Sequence, residues 1–361
     1  MSARLTPDEV FRAACLDQAQ SCRHLGSPLT AEILTLFASR LSADDGAVAA
    51  RLLDWSGDPG SKRDALALRL AGALRAIALE HHDPALEDAY EARRFDWPLL
   101  AGVLARHEAR ILDWLERAPQ TNEVGRSAVL IAGARFLGDL TGGTHALSVL
   151  ELGCSAGLNL NFNRYTIEVN QEYLGDPDAG LILRPEWRGN ALPSGRMPRV
   201  AHARGVDLAP LDPVADRLRL LAYVWADQPE RIARLEAALD LAKSHPPQVD
   251  RDDAAFWLES RLSEAPLQRG QTTLVIHTIA WQYFPPAVQA RCMAALEAAG
   301  QRAGRENPLA RLSLEADPAG SGRPGAAMRL ELWQGEGRNE WSLGRADFHG
   351  RWIDWRPERL S

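Results

Sequence analysis

Four residues spaced two apart, Glu151, Gly153, Ser155 and Gly157, form the clearest chemical pattern in the chain. They close the run LSVLELGCSAGLNL (Leu147–Leu160), where an apolar stretch leads into an acid, a glycine turn and a helix-compatible segment. The pattern predicts a buried strand, a tight turn and a helix N-terminus. Glycine tolerates positive φ and lets a ligand approach the backbone. Free N–H groups at a helix start favour a polar or anionic group. In an open α/β sheet, ligands bind at this carboxyl edge of the strands. The chemistry expected here is small-molecule binding.

The elements around that turn follow from the apolar periodicity. Up to about Leu140 the chain reads as all-helical. Thr6-Pro7-Asp8-Glu9 is a helix start with Pro at N1. Thr30 opens another helix, and Ser61 to Asp64 has capping-box spacing. Phe95 to Leu115 reads as one further helical stretch and Val124 to Leu140 as the last before the turn. Beyond Leu140, strand-length runs alternate with helices. Strands are expected at Leu147–Leu152, Val200–Leu208, Pro247–Val249, Thr272–Thr278 and Ala310–Ala316. Helices are expected at Gly157–Arg164, Pro213–Ala226, Pro229–Ser244, Asp253–Glu264 and Pro286–Gly300. Ala327–Gln334 and Trp341–Phe348, around Gly335 to Asn339, give a hairpin signal. The expected fold is α/β: a doubly wound sheet with a C-terminal antiparallel hairpin, preceded by an all-helical N-terminal domain. The domains are expected at 1–120 and 121–361.

Composition bounds the function. The chain has 361 residues, 46% hydrophobic and 25% charged, ordinary for a globular protein. Its net charge of −7 supplies no global field for nucleic acid or anionic membrane. The four cysteines, Cys15, Cys22, Cys154 and Cys292, form no C-x-x-C pair, so neither a zinc site nor a disulfide framework is indicated. The charged, amphipathic N-terminus does not read as a signal peptide, and no apolar run reaches membrane-spanning length. A cytoplasmic protein with a small-molecule substrate is expected, with neither nucleic acid nor membrane as partner and no metal.

The strand inventory resembles the class I S-adenosylmethionine-dependent methyltransferase fold, a Rossmann-like sheet. Glu151-x-Gly153-x-Ser155-x-Gly157 resembles its first motif, with Ser155 in place of the middle glycine. Asp207, closing the next strand, resembles the acid that holds the ribose hydroxyls; a carboxylate can accept two hydrogen bonds from a diol. Asp252-Asp253 resembles the acidic turn near the adenine. The resemblance implies S-adenosylmethionine as cofactor, Glu151 on its ammonium and Arg126 on its carboxylate, with Asn122 and Glu123 as cap and support. It also points the edge of the fourth strand at the methyl group, with His277 as base and Trp281 and Tyr283 as walls; aromatic faces suit a sulfonium. More narrowly, Asn122–Ser127, Glu151–Leu160 and His349–Trp352 resemble DUF2332, a bacterial family of unknown function.

One departure is an insertion at about 165–199, read as a lid or substrate-facing extension. Were that placement wrong, Glu168 would be the strand-end acid in place of Asp207. Plainer readings stand beside these roles: Asp252 and Asp253 as helix caps, Arg126 as a surface arginine, His277 as a satisfied core histidine. Two other functions remain open. Gly153-Cys-Ser155-Ala-Gly157 also satisfies the G-x-S-x-G nucleophile elbow, with Asp317 and His349 following in hydrolase order. The helical sequence before Ser155 lacks the strands that a hydrolase needs. The third reading is a non-catalytic, methyltransferase-like binding module.

Overall fold

The computed structural model describes residues 6–264, 267–317, 322–335 and 337–360. The helices are α1 (Pro7–His24), α2 (Pro28–Arg40), α3 (Ala47–Leu53), α4 (Leu66–Leu79), α5 (Pro84–Ala92), α6 (Trp97–Arg106), α7 (Glu108–Leu115), α8 (Ser127–Leu140), α9 (Arg217–Ala222), α10 (Pro229–Ser244), α11 (Ala254–Glu264) and α12 (Pro286–Gly300). The strands are β1 (Ala146–Leu152), β2 (Thr166–Val169), β3 (Glu172–Leu174), β4 (Ile182–Leu183), β5 (Glu186–Gly189), β6 (Val200–Asp207), β7 (Val249–Arg251), β8 (Gln271–Thr278), β9 (Leu309–Glu315), β10 (Ala326–Trp333), β11 (Arg338–Ala346) and β12 (Trp352–Arg359). Among the described residues, no helix is long and apolar enough to cross a membrane.

The chain divides into two compact units. The first holds residues up to Thr121 together with Ala215–Ala233. It is helical, starting at Thr6, whose side chain and Glu9 form a reciprocal capping box. Elsewhere tertiary packing overrides the local signals. Helix α2 begins two residues before Thr30, capped by Ser27. Asp64 caps nothing; its Oδ2 accepts from the Trp55 indole N–H at 2.7 Å, and α4 starts after Ala65 without a side-chain cap. The stretch 95–115 splits at His107 into α6 and α7.

Phe11, Leu34, Phe37, Leu70, Leu74, Ile77 and Leu100 form the centre of this unit, all fully buried. Each such side chain contributes about 1.5–3 kcal/mol by leaving water. The sequence pattern assigns 215–233 to the sheet domain, but polar contacts tie this segment to the helices. Trp114 Nε1 donates to Tyr223 Oη at 3.0 Å, and Asp227 accepts from the Ser27 hydroxyl at 2.6 Å and the Leu29 N–H at 3.0 Å. Gly72 admits the Tyr223 ring: a Cβ there would lie 2.5 Å from it.

The second unit, Asn122–Val214 and Arg234 onward, is α/β, built on a nine-stranded sheet in the order β5-β12-β11-β10-β9-β8-β1-β6-β7. Strands β7, β6, β1, β8 and β9 are parallel; β10, β11 and β12 add antiparallel pairs, and β5 runs parallel to β12. The expected hairpin is therefore part of a longer meander. One face packs on α11 and α12 through Leu150, Val206, Trp257, Leu258, Val275 and Leu296. On the other, α8 reaches Leu312 of β9 at Gly133, where a Cβ would lie 2.6 Å from the leucine.

The insertion is built into the fold. Its strands β2, β3 and β4 make a separate small sheet in the order β3-β2-β4, and β5 closes the far edge of the main sheet. Trp187 of β5 lies 5.8 Å from Trp355 of β12. None of these strands borders β1, β6 or β8. Glu168 sits on β2, paired with Arg184 at 2.8 Å, while β6 ends at Asp207 beside β1.

Candidate functional site

After β1 the chain goes to β6 and β7 on one side, then crosses to β8 on the other. Such a reversal is where α/β sheets bind ligands, in the crevice outside the carboxyl ends of neighbouring parallel strands. Glu151 is the penultimate residue of β1, at this edge. Glu151 is 2% exposed and its Oε2 has no hydrogen-bond partner. Burial, reinforced by the negative charge of Asp207, pushes its pKa up to about 8 against the opposing pull of Arg126 and an Asn159 hydrogen bond.

The turn that follows is left-handed at three points: Gly153 (φ 66°), Ser155 (φ 55°) and Gly157 (φ 71°). Its clearance is taken by protein. A Cβ on Gly153 would lie 2.7 Å from Ala280 Cβ, and one on Gly157 2.7 Å from Val249. Ser155 is a non-glycine in this region, which costs about 1–2 kcal/mol, so something must hold it. That is Asp207: its Oδ2 accepts from the Ser155 N–H at 2.8 Å and its Oδ1 from the Ala209 N–H at 2.9 Å. The Ser155 hydroxyl is buried and makes no hydrogen bond. A 3-10 helix (Leu158–Arg164) replaces the expected α-helix.

Beneath Glu151 lies a polar layer that the sequence only partly anticipates. The Ser127 hydroxyl donates to Asn159 Oδ1 at 2.7 Å, and Asn159 in turn favours the ionised form of Glu151. Asn122 accepts from the Leu158 N–H at 2.9 Å, while Glu123 caps the Val124–Arg126 turn by accepting from the Gly125 N–H at 3.0 Å. The expected cap role thus moves from Asn122 to Glu123. Arg126 is no surface arginine: Nε donates to the Phe348 carbonyl at 2.9 Å and Nη1 to the Thr278 carbonyl at 3.0 Å.

His277 is fully buried, with both nitrogens engaged. Nε2 accepts from Arg311 Nε at 3.1 Å, which leaves Nδ1 as the donor to Glu315 Oε1 at 2.7 Å. Burial, the largest influence, pushes its pKa down although Glu315 pulls the other way. With no nitrogen left over, His277 is a core histidine and not a base facing the crevice. Trp281 stacks on His277 at 4.9 Å and is half-buried, whereas Tyr283 is 60% exposed. Asp253 is a helix cap: its Oδ1 accepts from the Ala255 and Phe256 N–H groups at 3.1 and 3.0 Å. Asp252 accepts from the Asp253 N–H at 2.8 Å.

The structure brings Glu151, Gly153, Ser155, Gly157, Asp207 and Arg126 to one sheet edge; Trp281 borders them through Ala280. Two features there had no sequence signal. Ile279 follows β8 with φ 51°, a genuine outlier for a β-branched residue. Glu315 sits at the end of β9, with Oε2 buried and unpartnered. Among the described residues, Ser155, Asp317 and His349 do not form a hydrogen-bonded triad. The Ser155 hydroxyl bonds no imidazole, and Asp317 pairs with Arg345 at 2.7 Å. The His349 loop instead braces Arg126 and Gly125: a Cβ on Gly125 would lie 2.3 Å from the His349 carbonyl. A cavity of about 490 Å³ lies elsewhere, along the amino-terminal halves of β1, β6 and β8 between Ser148, His202, Gln271 and Arg261.

The fold and crevice define an α/β protein with a large, mostly parallel nine-stranded sheet and many helices. Residues 12–355 match the model of the family described as "Uncharacterized protein conserved in bacteria (DUF2332)", and the chain belongs to that family. No curated protein and no solved structure matches it.

Proposed function

We propose that the crevice binds S-adenosylmethionine in a Rossmann-like, methyltransferase-type sheet, and that the protein transfers the methyl group to a small molecule. The observation that carries this reading is the unpartnered, buried carboxylate oxygen of Glu151 at the end of β1. Buried polar atoms are almost always hydrogen-bonded, and the exceptions call for an explanation. A ligand ammonium would satisfy Oε2 and favour the ionised carboxylate. The Ser155 hydroxyl, also buried and unbonded on the same turn, adds a second polar group for such a ligand.

The donor set fits the cofactor in kind. Glu151 would hold the ammonium. Asp207, at the end of β6, would accept ribose hydroxyls as a carboxylate can. Arg126 contributes positive charge near the cofactor's carboxylate, although two of its donors serve backbone carbonyls. Trp281 would wall the acceptor side. When bound, the cofactor supplies an electrophilic methyl group; the chain supplies alignment and exclusion of water. His277 takes no proton in this scheme. The test is calorimetric titration with S-adenosylmethionine and S-adenosylhomocysteine. Saturable binding supports the reading, and its absence from folded protein removes it.

A further inference from the structure

The turn from Thr278 to Trp281 is held on every side. The Ile279 N–H donates to the Leu314 carbonyl at 2.8 Å, and the Thr278 carbonyl accepts from Arg126 at 3.0 Å. Glu315 Oε1 takes the Ala280 and Trp281 N–H groups, each at 3.2 Å. The same oxygen accepts from His277 Nδ1 at 2.7 Å. Behind it the chain of charges continues inward: Arg311 donates to His277 Nε2 and pairs with Glu331 at 3.1 Å. Arg311 also lies 5.0 Å from the centroid of the Trp281 ring. Residues held in sparsely populated backbone regions persist only where their surroundings over-determine them. Ile279, at φ 51°, is such a residue. Its neighbour Ala280 meets Gly153, where an added Cβ would lie 2.7 Å from Ala280 Cβ. A shift of this turn is therefore transmitted to the turn after β1.

We infer that Glu315 is a positioning residue: it fixes the strained Ile279 turn against Gly153 and so sets the shape of the crevice without touching the ligand. The link from turn to ligand rests on the proposed cofactor reading, while the hold on the turn does not. Glu315→Gln keeps an acceptor oxygen and removes the charge; Glu315→Ala removes both.

The experiment follows amide hydrogen exchange at Ala280 and Trp281 in the full chain, beside S-adenosylhomocysteine titrations of each protein. Glu315→Ala should speed exchange of both amides about tenfold, the scale of one lost hydrogen bond, with Glu315→Gln in between. The dissociation constant should rise in parallel, also about tenfold. Ile279→Gly relieves the backbone strain, so adding Glu315→Ala to it should weaken binding by only about threefold. Unchanged exchange in a folded Glu315→Ala protein overturns the inference, as does faster exchange with unchanged affinity. If the wild type binds no S-adenosylhomocysteine, the cofactor reading falls, and the exchange rates alone decide whether Glu315 holds the turn.

Discussion

Asp207 Oδ2 accepts a 2.8 Å hydrogen bond from the backbone N–H of Ser155, so the acid that ends β6 ties down the turn that follows β1. Ser155 sits at φ 55° without being glycine, and this carboxylate is what compensates it. The strand-end acid is thus part of the turn's architecture as well as a candidate ligand group.

Replacing Asp207 with Ala removes acceptors for two backbone N–H groups. The expected cost is about 1–3 kcal/mol of stability, with a comparable loss in cofactor affinity. Denaturant melts and titrations of the same preparation measure both. A variant that melts and binds like the wild type would show that Asp207 serves neither the turn nor a ligand.

Glu151 makes a pH prediction. Its folded pKa, about 8, lies above its ordinary value of 4.5. The folded state therefore holds the proton more tightly than the unfolded one, and this stabilisation is complete below about pH 4.5. It is lost as the pH rises through about 8, on the order of a few kcal/mol in all. Glu151→Gln removes that loss, so its stability relative to wild type should grow from pH 5 to pH 8. Urea midpoints of both proteins across this range provide the check. Parallel pH profiles would mean that the carboxyl is not held protonated.

Glycine in the turn is needed twice over, for φ and for clearance. Gly153→Ala combines a left-handed alanine with a contact 2.7 Å from Ala280 Cβ. Gly143, at φ 71° and with nothing within 4 Å of where a Cβ would stand, separates the two effects. Gly143→Ala should cost about 1–2 kcal/mol and Gly153→Ala clearly more. Thermal melts giving equal losses would mean that Ala280 yields to the extra methyl.

Gly72 tests the placing of 215–233 with the helices. Alanine in a helix interior normally gains about 0.8–1 kcal/mol over glycine. Here its Cβ would lie 2.5 Å from the Tyr223 ring, and overpacking costs typically about 1–3 kcal/mol. Net destabilisation is predicted, and stabilisation of Gly72→Ala would show that the ring does not lie against α4.

Much of this is legible in the sequence because its signals are local. The strand before Glu151 announces itself by its apolar run, and the helices at Pro229–Ser244 and Pro286–Gly300 by a leading proline. Strand β5, Glu186-Trp-Arg-Gly189, is four residues long and mostly polar; only its pairing with β12 makes it a strand. Strand β12 carries Pro357 and outward charges, tolerable where its neighbour is short. The buried partnership of His277 with Arg311 and Glu315 depends on β8 lying beside β9, a long-range pairing that no spacing along the chain encodes. The same holds for Asn159 and Ser127, 32 residues apart in sequence.

At the centre stands the binding of S-adenosylmethionine in the crevice, with Glu151 on its ammonium. Calorimetric titration with S-adenosylhomocysteine, run on wild type and on Glu151→Gln, tests it most directly. Saturable one-to-one binding by the wild type is predicted, weakened about tenfold or more in the variant through loss of a charged partner. Folded wild-type protein that binds nothing, or a variant that binds equally well, would contradict it.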